Sequence, residues 1–357
     1  MNTAIAATSA ATIAAASAVT ADAHREADVP EQMQAIVGEQ YGTADVLEVR
    51  TVDVPAPAAD EVLVRVAAAG VDRGVWHLMT GLPYAVRLAG HGIRRRSSRS
   101  SASIWPAPSS PPAPTSPTSP SATRCTASAT APSPTTPWPR PPSSPTAPTT
   151  SRSSRRRPSR SRAAATQALF DIGAAEAGQR VLVLGASGGV GSFVVQLAHA
   201  HGLHVTGVAS AAKAGYVTEL GADVVLDYRT DDFTDEQPFD LIIDIGGRNR
   251  VSKLRSALTR TGTLVIVGGE DGGKVTGGTG RQLRAMLRSP FVSQRMTTFV
   301  SDETAAKRTA LHELVADGRI TAPVDRTYPL DRAADALHDL EVGNLRGKAV
   351  ITIGGRS

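Results

Sequence analysis

The chain carries two regimes of hydrophobic patterning. In its second half short apolar runs recur: RVLVLG from residue 180, then HVTGVA, ELGADVVLDY, FDLIIDIGG and GTLVIVGG. Continuous apolar runs bounded by turn residues suit strands buried on both faces of a parallel sheet. Between the first two runs lies the turn GASGGVG, and then SFVVQLAHAHG, which reads as a helix ending near Gly202. Strand, turn, helix and strand make a βαβ unit. Its continuation predicts an α/β chain built on a doubly wound parallel sheet.

From residue 96 to residue 162 that patterning vanishes. Between Arg94 and Ala168 there is no Asp, Glu, Lys, Leu, Val, Phe, Met or Tyr. Residues 96–162 hold 16 of the 24 prolines and 10 arginines, so the formal charge of +5 splits into +10 from this stretch and −5 from the rest. The basic pI therefore belongs to one segment, and no nucleic-acid partner is expected from it. At 357 residues there is room for two ordinary domains. The single cysteine, Cys125, excludes an intrachain disulfide framework and a cysteine-built zinc cluster. No apolar run is long enough to span a membrane, and a cytoplasmic location is expected. Residues 1–32 are Ala/Thr/Ser-rich, without a cationic start or a strong apolar core, and read as a disordered extension or an early start ahead of Met33, with an export signal as the alternative.

The glycine-rich turn carries the chemistry. Gly185, Ala186, Gly188, Gly189, Val190 and Gly191 place small residues where a pyrophosphate must approach backbone at a helix N-terminus. The second strand ends Val208-Ala209-Ser210 with Lys213 close behind and no acid until Glu219. An NAD site usually places Asp or Glu there, whereas a hydroxyl and an ammonium suit a 2′-phosphate. NADPH is thus the expected cofactor, with NADH as the alternative; a capping serine and a solvated lysine are the plainer reading of the same pair. Gly246, Gly247, Gly268 and Gly269 follow later strands and are candidates for close approach to the cofactor or simple turn residues.

With those residues in view, the chain resembles the medium-chain dehydrogenase/reductase superfamily in its zinc-free quinone oxidoreductase branch. The carriers are GASGGVGSFVVQLA, LGADVVLDYR, DLIIDIGG, GTLVIVGG and GNLRGKAVITI, together with YGTADVLEVRTVDVPAPAADEVLVRVAAAGVDRGVWHLMTG near the start. The resemblance implies a Rossmann domain over residues 163–300 inserted into a GroES-like, β-rich catalytic domain. That second domain would comprise residues 33–95 and return over residues 301–357. It also implies Tyr228 beside Ser210 and Lys213 at the adenosine phosphate. Zinc-dependent relatives carry cysteine two residues after the glycine of the AAG motif; here that position is Asp72, so zinc is not expected. What remains is hydride transfer to a quinone or an activated carbonyl or enone, with alcohol dehydrogenase-like and enoyl reductase roles as alternatives. Asp72, His77 and Tyr84 fall in the segment expected to line the cleft, with His77 a candidate donor to the reduced substrate's oxygen. A hydrogen-bonded histidine beside Trp76 and a turn-capping Asp72 are the plainer readings. A small-molecule substrate and a homodimeric assembly complete the expectation.

The middle segment admits two readings. One is a Pro/Ser/Arg insert that binds acidic partners or aromatic grooves. The other is a displaced reading frame. Shifted back by one nucleotide, ASIWPAP (residues 102–108) restores to Gly-Ile-Asp-Leu-Ala-Gly-Thr, and SATRCT (residues 121–126) to Val-Gly-Asp-Glu-Val-Tyr, both similar to motifs of the family. On that reading Cys125 has no function, and the catalytic domain of this chain is incomplete and its turnover impaired.

Overall fold

The computed structural model describes residues 29–57, 63–84, 87, 160–268, 292–299 and 320–353, with isolated positions at 277, 280, 282, 285 and 289. The readings placed on residues 1–28, on the Pro/Ser/Arg segment up to residue 159 and on Gly269 lie outside them.

A six-stranded parallel sheet forms the larger unit. Its strands are β4 (Arg180–Leu184), β5 (His204–Ala209), β6 (Val224–Asp227), β7 (Phe239–Asp244), β8 (Leu258–Ile266) and β9 (Arg295–Thr298), in the order β6-β5-β4-β7-β8-β9. The order reverses direction at β4, which pairs with β5 on one side and β7 on the other. Alternation along β4 explains why its run is apolar throughout. Val181 and Val183 enter one core cluster, and Leu182 and Leu184 enter another on the opposite face. A register shift between Phe239 and Leu241 turns Phe239 into the same cluster as Ile242. The first cluster is roofed by helix α3 (Gly191–Ala200), whose Val194, Val195 and Ala198 are fully buried. Deleting a side chain such as Leu182 from either layer would cost about 2–5 kcal/mol.

The smaller unit is β-rich. Strands β1 (Gln32–Val37) and β2 (Glu48–Asp53) form an antiparallel pair, while β3 (Ala68–Val71), β10 (Val324–Pro329) and β11 (Lys348–Thr352) form a sheet ordered β10-β11-β3. The chain end thus returns to pair with its beginning, Ala349 opposite Val71. Helices α1 (Arg73–Thr80) and α6 (Ala333–Glu341) pack a third core with Met79, Tyr328, Ala336 and Ile351.

Helix α2 (Arg160–Thr166) runs into a π-helical turn, Gln167–Ile172. The domain boundary expected at residue 163 falls inside this helix, where Ser161, Arg162 and Ala165 are already buried.

Candidate functional site

The site begins at the carboxyl end of β4. Gly185 stands at φ +85°, a left-handed conformation that favours glycine, and its N–H and that of Ala186 donate to Val208 O at 3.2 and 3.1 Å. On the other side Ile245 and Gly246 donate to Leu184 O at 3.1 and 3.2 Å, so the ends of three strands are laced together. A Cβ on Gly191 would collide with Gly185 O, and one on Gly207 would stand 2.7 Å from Val217 Cγ1 and 3.1 Å from Ala186 Cβ. The sequence folds into this tight turn because no side chain fills it. The N–H groups of Gly189 and Val190 have no acceptor among the described residues, and they lie at the N-terminus of the ten-residue α3. Such orphan donors, aligned with the helix dipole, attract an anion.

Lysine 348 was not anticipated from sequence. It is 6% exposed, and Lys348 Nζ donates to Ser161 Oγ at 2.9 Å. Its Cδ passes 3.1 Å from where a Cβ on Gly189 would stand, so the absent side chain makes room for the lysine stem. Burial pushes the Lys348 ammonium below its usual pKa, and the Asp72 carboxylate acts in the opposite direction. Gly347 N donates to Ser187 O at 2.8 Å, fixing the closing GNLRGK stretch on the glycine turn. The available signal was a lysine opening an otherwise apolar strand.

At the adenosine side, Tyr228 N donates to Ala209 O at 3.2 Å and Lys213 N to Ser210 O at 2.8 Å, so Ser210, Lys213 and Tyr228 cluster at the ends of β5 and β6. Leu184, Val208, Leu226 and Phe233 floor a shallow pocket there, with Tyr228 and Asn249 on its rim. The Lys213 side chain turns to the other unit, donating to Gly343 O at 2.6 Å and Leu345 O at 2.7 Å. Asp244, fully buried, accepts from Gly247 N at 3.0 Å and shapes the turn after β7. Gly268 lies against Ile245 O with no space for a Cβ, a packing requirement.

Asp72 caps the start of α1, His77 lies in its last turn and Tyr84 follows it in the turn beyond. The Asp72 carboxylate accepts from Val75 N at 3.2 Å as the helix N-cap, at the end nearest Lys348. His77, in the last turn, donates from Nδ1 to Leu82 O at 2.8 Å and meets the Trp76 ring edge-on at 5.1 Å. That bond leaves Nε2 of a neutral ring an acceptor only. Tyr84 is 43% exposed and lies under the Arg87 guanidinium at 4.8 Å, with Tyr41 under the same group at 4.4 Å. The fold brings Asp72 to the glycine turn through Lys348 and holds His77 and Tyr84 at the other end of the helix.

A parallel sheet that reverses at a glycine-rich turn, joined to a β-rich unit that returns to that turn, makes an α/β fold with its switch point at the turn. Residues 220–351 match the family model described as zinc-binding dehydrogenase. The bovine mitochondrial NAD(P)H oxidoreductase RTN4IP1 is 34% identical over 195 residues, covering 49% of this chain and 48% of that protein. Mouse quinone oxidoreductase is 28% identical, covering 53% and 59%. The chain spans about half the length of the curated relatives it matches. The structure of the quinone oxidoreductase from Coxiella burnetii superposes with a TM-score of 0.63 at 19% identity, over 90% of this chain and 99% of that one. Over about half its length the chain is thus similar to proteins named NAD(P)H oxidoreductase and quinone oxidoreductase, and its fold is that of the Coxiella quinone oxidoreductase.

Proposed function

We propose that the chain binds NADPH, or NADH less tightly, in the cleft between its two units, and serves reduction of a quinone or an activated carbonyl or enone without zinc. The observation that carries this reading is Lys348, a buried cation laid across Gly189 beside the unsatisfied N–H groups of Gly189 and Val190. These groups fit a pyrophosphate: donors and a positive charge converge where no side chain intrudes. Gly185, Gly188 and Gly191 keep the backbone accessible, while Ser210 and Tyr228 border the adenosine half and the apolar floor of Leu184, Val208 and Leu226 receives the base.

The reduced nicotinamide supplies the hydride when bound. Lys348 offsets phosphate charge, and the Asp72 carboxylate opposes the lowering of the Lys348 pKa by burial while capping α1. His77, with Nδ1 committed to Leu82 O, remains the candidate donor to the reduced substrate's oxygen. The position where zinc-dependent relatives carry cysteine is occupied by Asp72, already engaged with Val75 N, which supports chemistry without zinc. The composition of residues 96–162 favours a second reading, nucleotide binding with impaired turnover.

Titration of the full chain with NADPH, followed by nucleotide fluorescence, tests the binding; quinone-dependent NADPH oxidation with and without a zinc chelator tests the reaction. Absence of any nucleotide binding would sink the proposal. Binding without turnover would select the second reading.

A further inference from the structure

We propose that Gln196 is a positioning residue of the nucleotide site: through Thr321 and Pro323 it sets where the Lys348 ammonium stands over the glycine turn. This rests on the nucleotide reading above and deepens it, by naming the side chain outside the turn on which the placement of the cation depends.

Gln196 lies in α3, the helix that opens at Gly191, among the buried Val194, Val195, Leu197 and Ala198. A polar amide on such a stretch must find its bonds inside the protein. Gln196 Nε2 donates to Ser192 O at 3.0 Å and to Thr321 O at 3.2 Å. Its Oε1 accepts from Thr321 N at 2.8 Å and from Thr321 Oγ1 at 3.2 Å. Three of these four bonds reach one residue, which belongs to neither strand nor helix. The amide stands in for a strand partner and ties Thr321 to the helix that carries the turn.

A little further along the same segment, Pro323 O accepts from Lys348 N at 2.7 Å. Gly347 is pressed against that carbonyl, which a Cβ there would strike, and stands at φ +81°. On its other flank Gly347 N donates to Ser187 O at 2.8 Å. The backbone of Gly347 and Lys348 is thus threaded between the glycine turn and a segment that Gln196 holds to the same helix. From there the lysine stem crosses Gly189, and Nζ ends on Ser161 Oγ. Sheet pairing alone does not set this position. Strands β10 and β11 pair Val324 with Lys348, but the register slips between Val324 and Arg326, at the end of the ladder where Lys348 lies. A cation that binds an anion has to be held within about 0.5 Å of its working place, so the residue that fixes Pro323 governs the affinity made through Lys348.

The experiment measures NADPH dissociation constants by nucleotide fluorescence for the full-length wild type, Gln196→Met, Gln196→Glu, Lys348→Met and the double variant Gln196→Met/Lys348→Met. Methionine keeps the volume of the glutamine and drops its bonds to Thr321. Gln196→Met is expected to weaken NADPH about fivefold. It should also speed amide exchange at Lys348, whose N–H bonds Pro323 O. Gln196→Glu, buried and protonated, keeps an acceptor for Thr321 N and a donor for Thr321 O, and should lie between wild type and Met. In the Lys348→Met background the Gln196 substitution should change affinity by less than about twofold, because the group it places is gone. A residue that only supports the fold would weaken binding equally in both backgrounds. Should Gln196→Met not fold, Gln196→Glu carries the same comparison. Additive losses, or unchanged NADPH affinity in the folded single variant, overturn the inference and leave nucleotide binding standing. Failure of the wild type to bind NADPH removes the reading on which it rests.

Discussion

Gln196 grips Thr321 by both ends of its amide: Nε2 donates to Thr321 O at 3.2 Å and Oε1 accepts from Thr321 N at 2.8 Å. The glutamine sits on the helix that opens at the glycine turn, and the threonine begins the segment leading to β10. A buried side chain thus completes the backbone bonding of an element 125 residues away. Gln196→Ala should leave a buried N–H and C=O unpaired and cost about 2–3 kcal/mol, read as a lower urea midpoint with an unchanged slope. Gln196→Leu, which restores volume without the bonds, should recover less than half of that.

Gly191→Ala tests the turn itself. A methyl group there meets Gly185 O, and the turn must open to accept it. The far-ultraviolet spectrum should stay close to wild type, because the strands are held by their own cores, while NADPH affinity falls tenfold or more. Retained affinity would place the nucleotide elsewhere.

Much of this turn could be read from residues. Gly185 to Gly191 lie in one contiguous stretch between an apolar strand and an apolar helix, so local pattern was enough to find them. The capping by Asp72 was one of two local readings, and the bond to Val75 N shows that it occurs. Lys348, Ser161 and Gln196 were not legible. The partners Ser161 and Lys348 are 187 residues apart, and their pairing depends on the chain end returning to β3, which no local window contains. Lys213 shows the same limit from the other side: its place in sequence suited a phosphate, whereas its side-chain partners come from 130 and 132 residues further on.

Lys348→Met separates binding from stability. A buried ammonium with lowered pKa is an unfavourable charge in the folded state, so replacing it with an apolar chain of similar length should leave the protein as stable or about 1 kcal/mol more stable. Nucleotide affinity should fall at least tenfold. A variant that loses stability as well as affinity would show that the bond to Ser161 outweighs the desolvation.

Asp72→Asn keeps a competent cap and removes a charge. Thermal stability should change little, unlike Asp72→Ala, which should lose about 1 kcal/mol. Without the carboxylate that raises it, the Lys348 pKa falls further, so the loss of nucleotide affinity on raising pH should begin at lower pH in Asp72→Asn than in wild type. Superimposable pH profiles would mean that Asp72 has no electrostatic part in the site.

The tie between β10 and α6 should give the protein a stability plateau bounded on both sides. Tyr328 Oη donates to Asp339 Oδ2 at 2.5 Å, Asn344 Nδ2 to Oδ1 at 3.1 Å, and Arg326 Nη1 to Oδ2 at 3.0 Å. These donors, the Tyr328 hydroxyl foremost, hold the Asp339 carboxyl below its ordinary value of 3.8. A carboxyl depressed in the folded state stabilises fully above its unfolded pKa, and that contribution disappears as pH falls through the folded value. Tyr328 behaves oppositely: burial, and then its bond to Asp339, raises its pKa above the ordinary 10.0, so its contribution is complete below pH 10 and is lost as pH rises through the raised value. Tyr328 is 7% exposed and the Asp339 side chain 19%, so each contribution is that of a shielded hydrogen bond to a charged group, about 1.5–3 kcal/mol. Wild type should therefore exceed Asp339→Asn in stability at pH 6, with the difference narrowing below about pH 4, measured by urea unfolding at each pH. A difference that persists undiminished at pH 2 would show that the hydrogen bonds, and not the charge, carry the stabilisation.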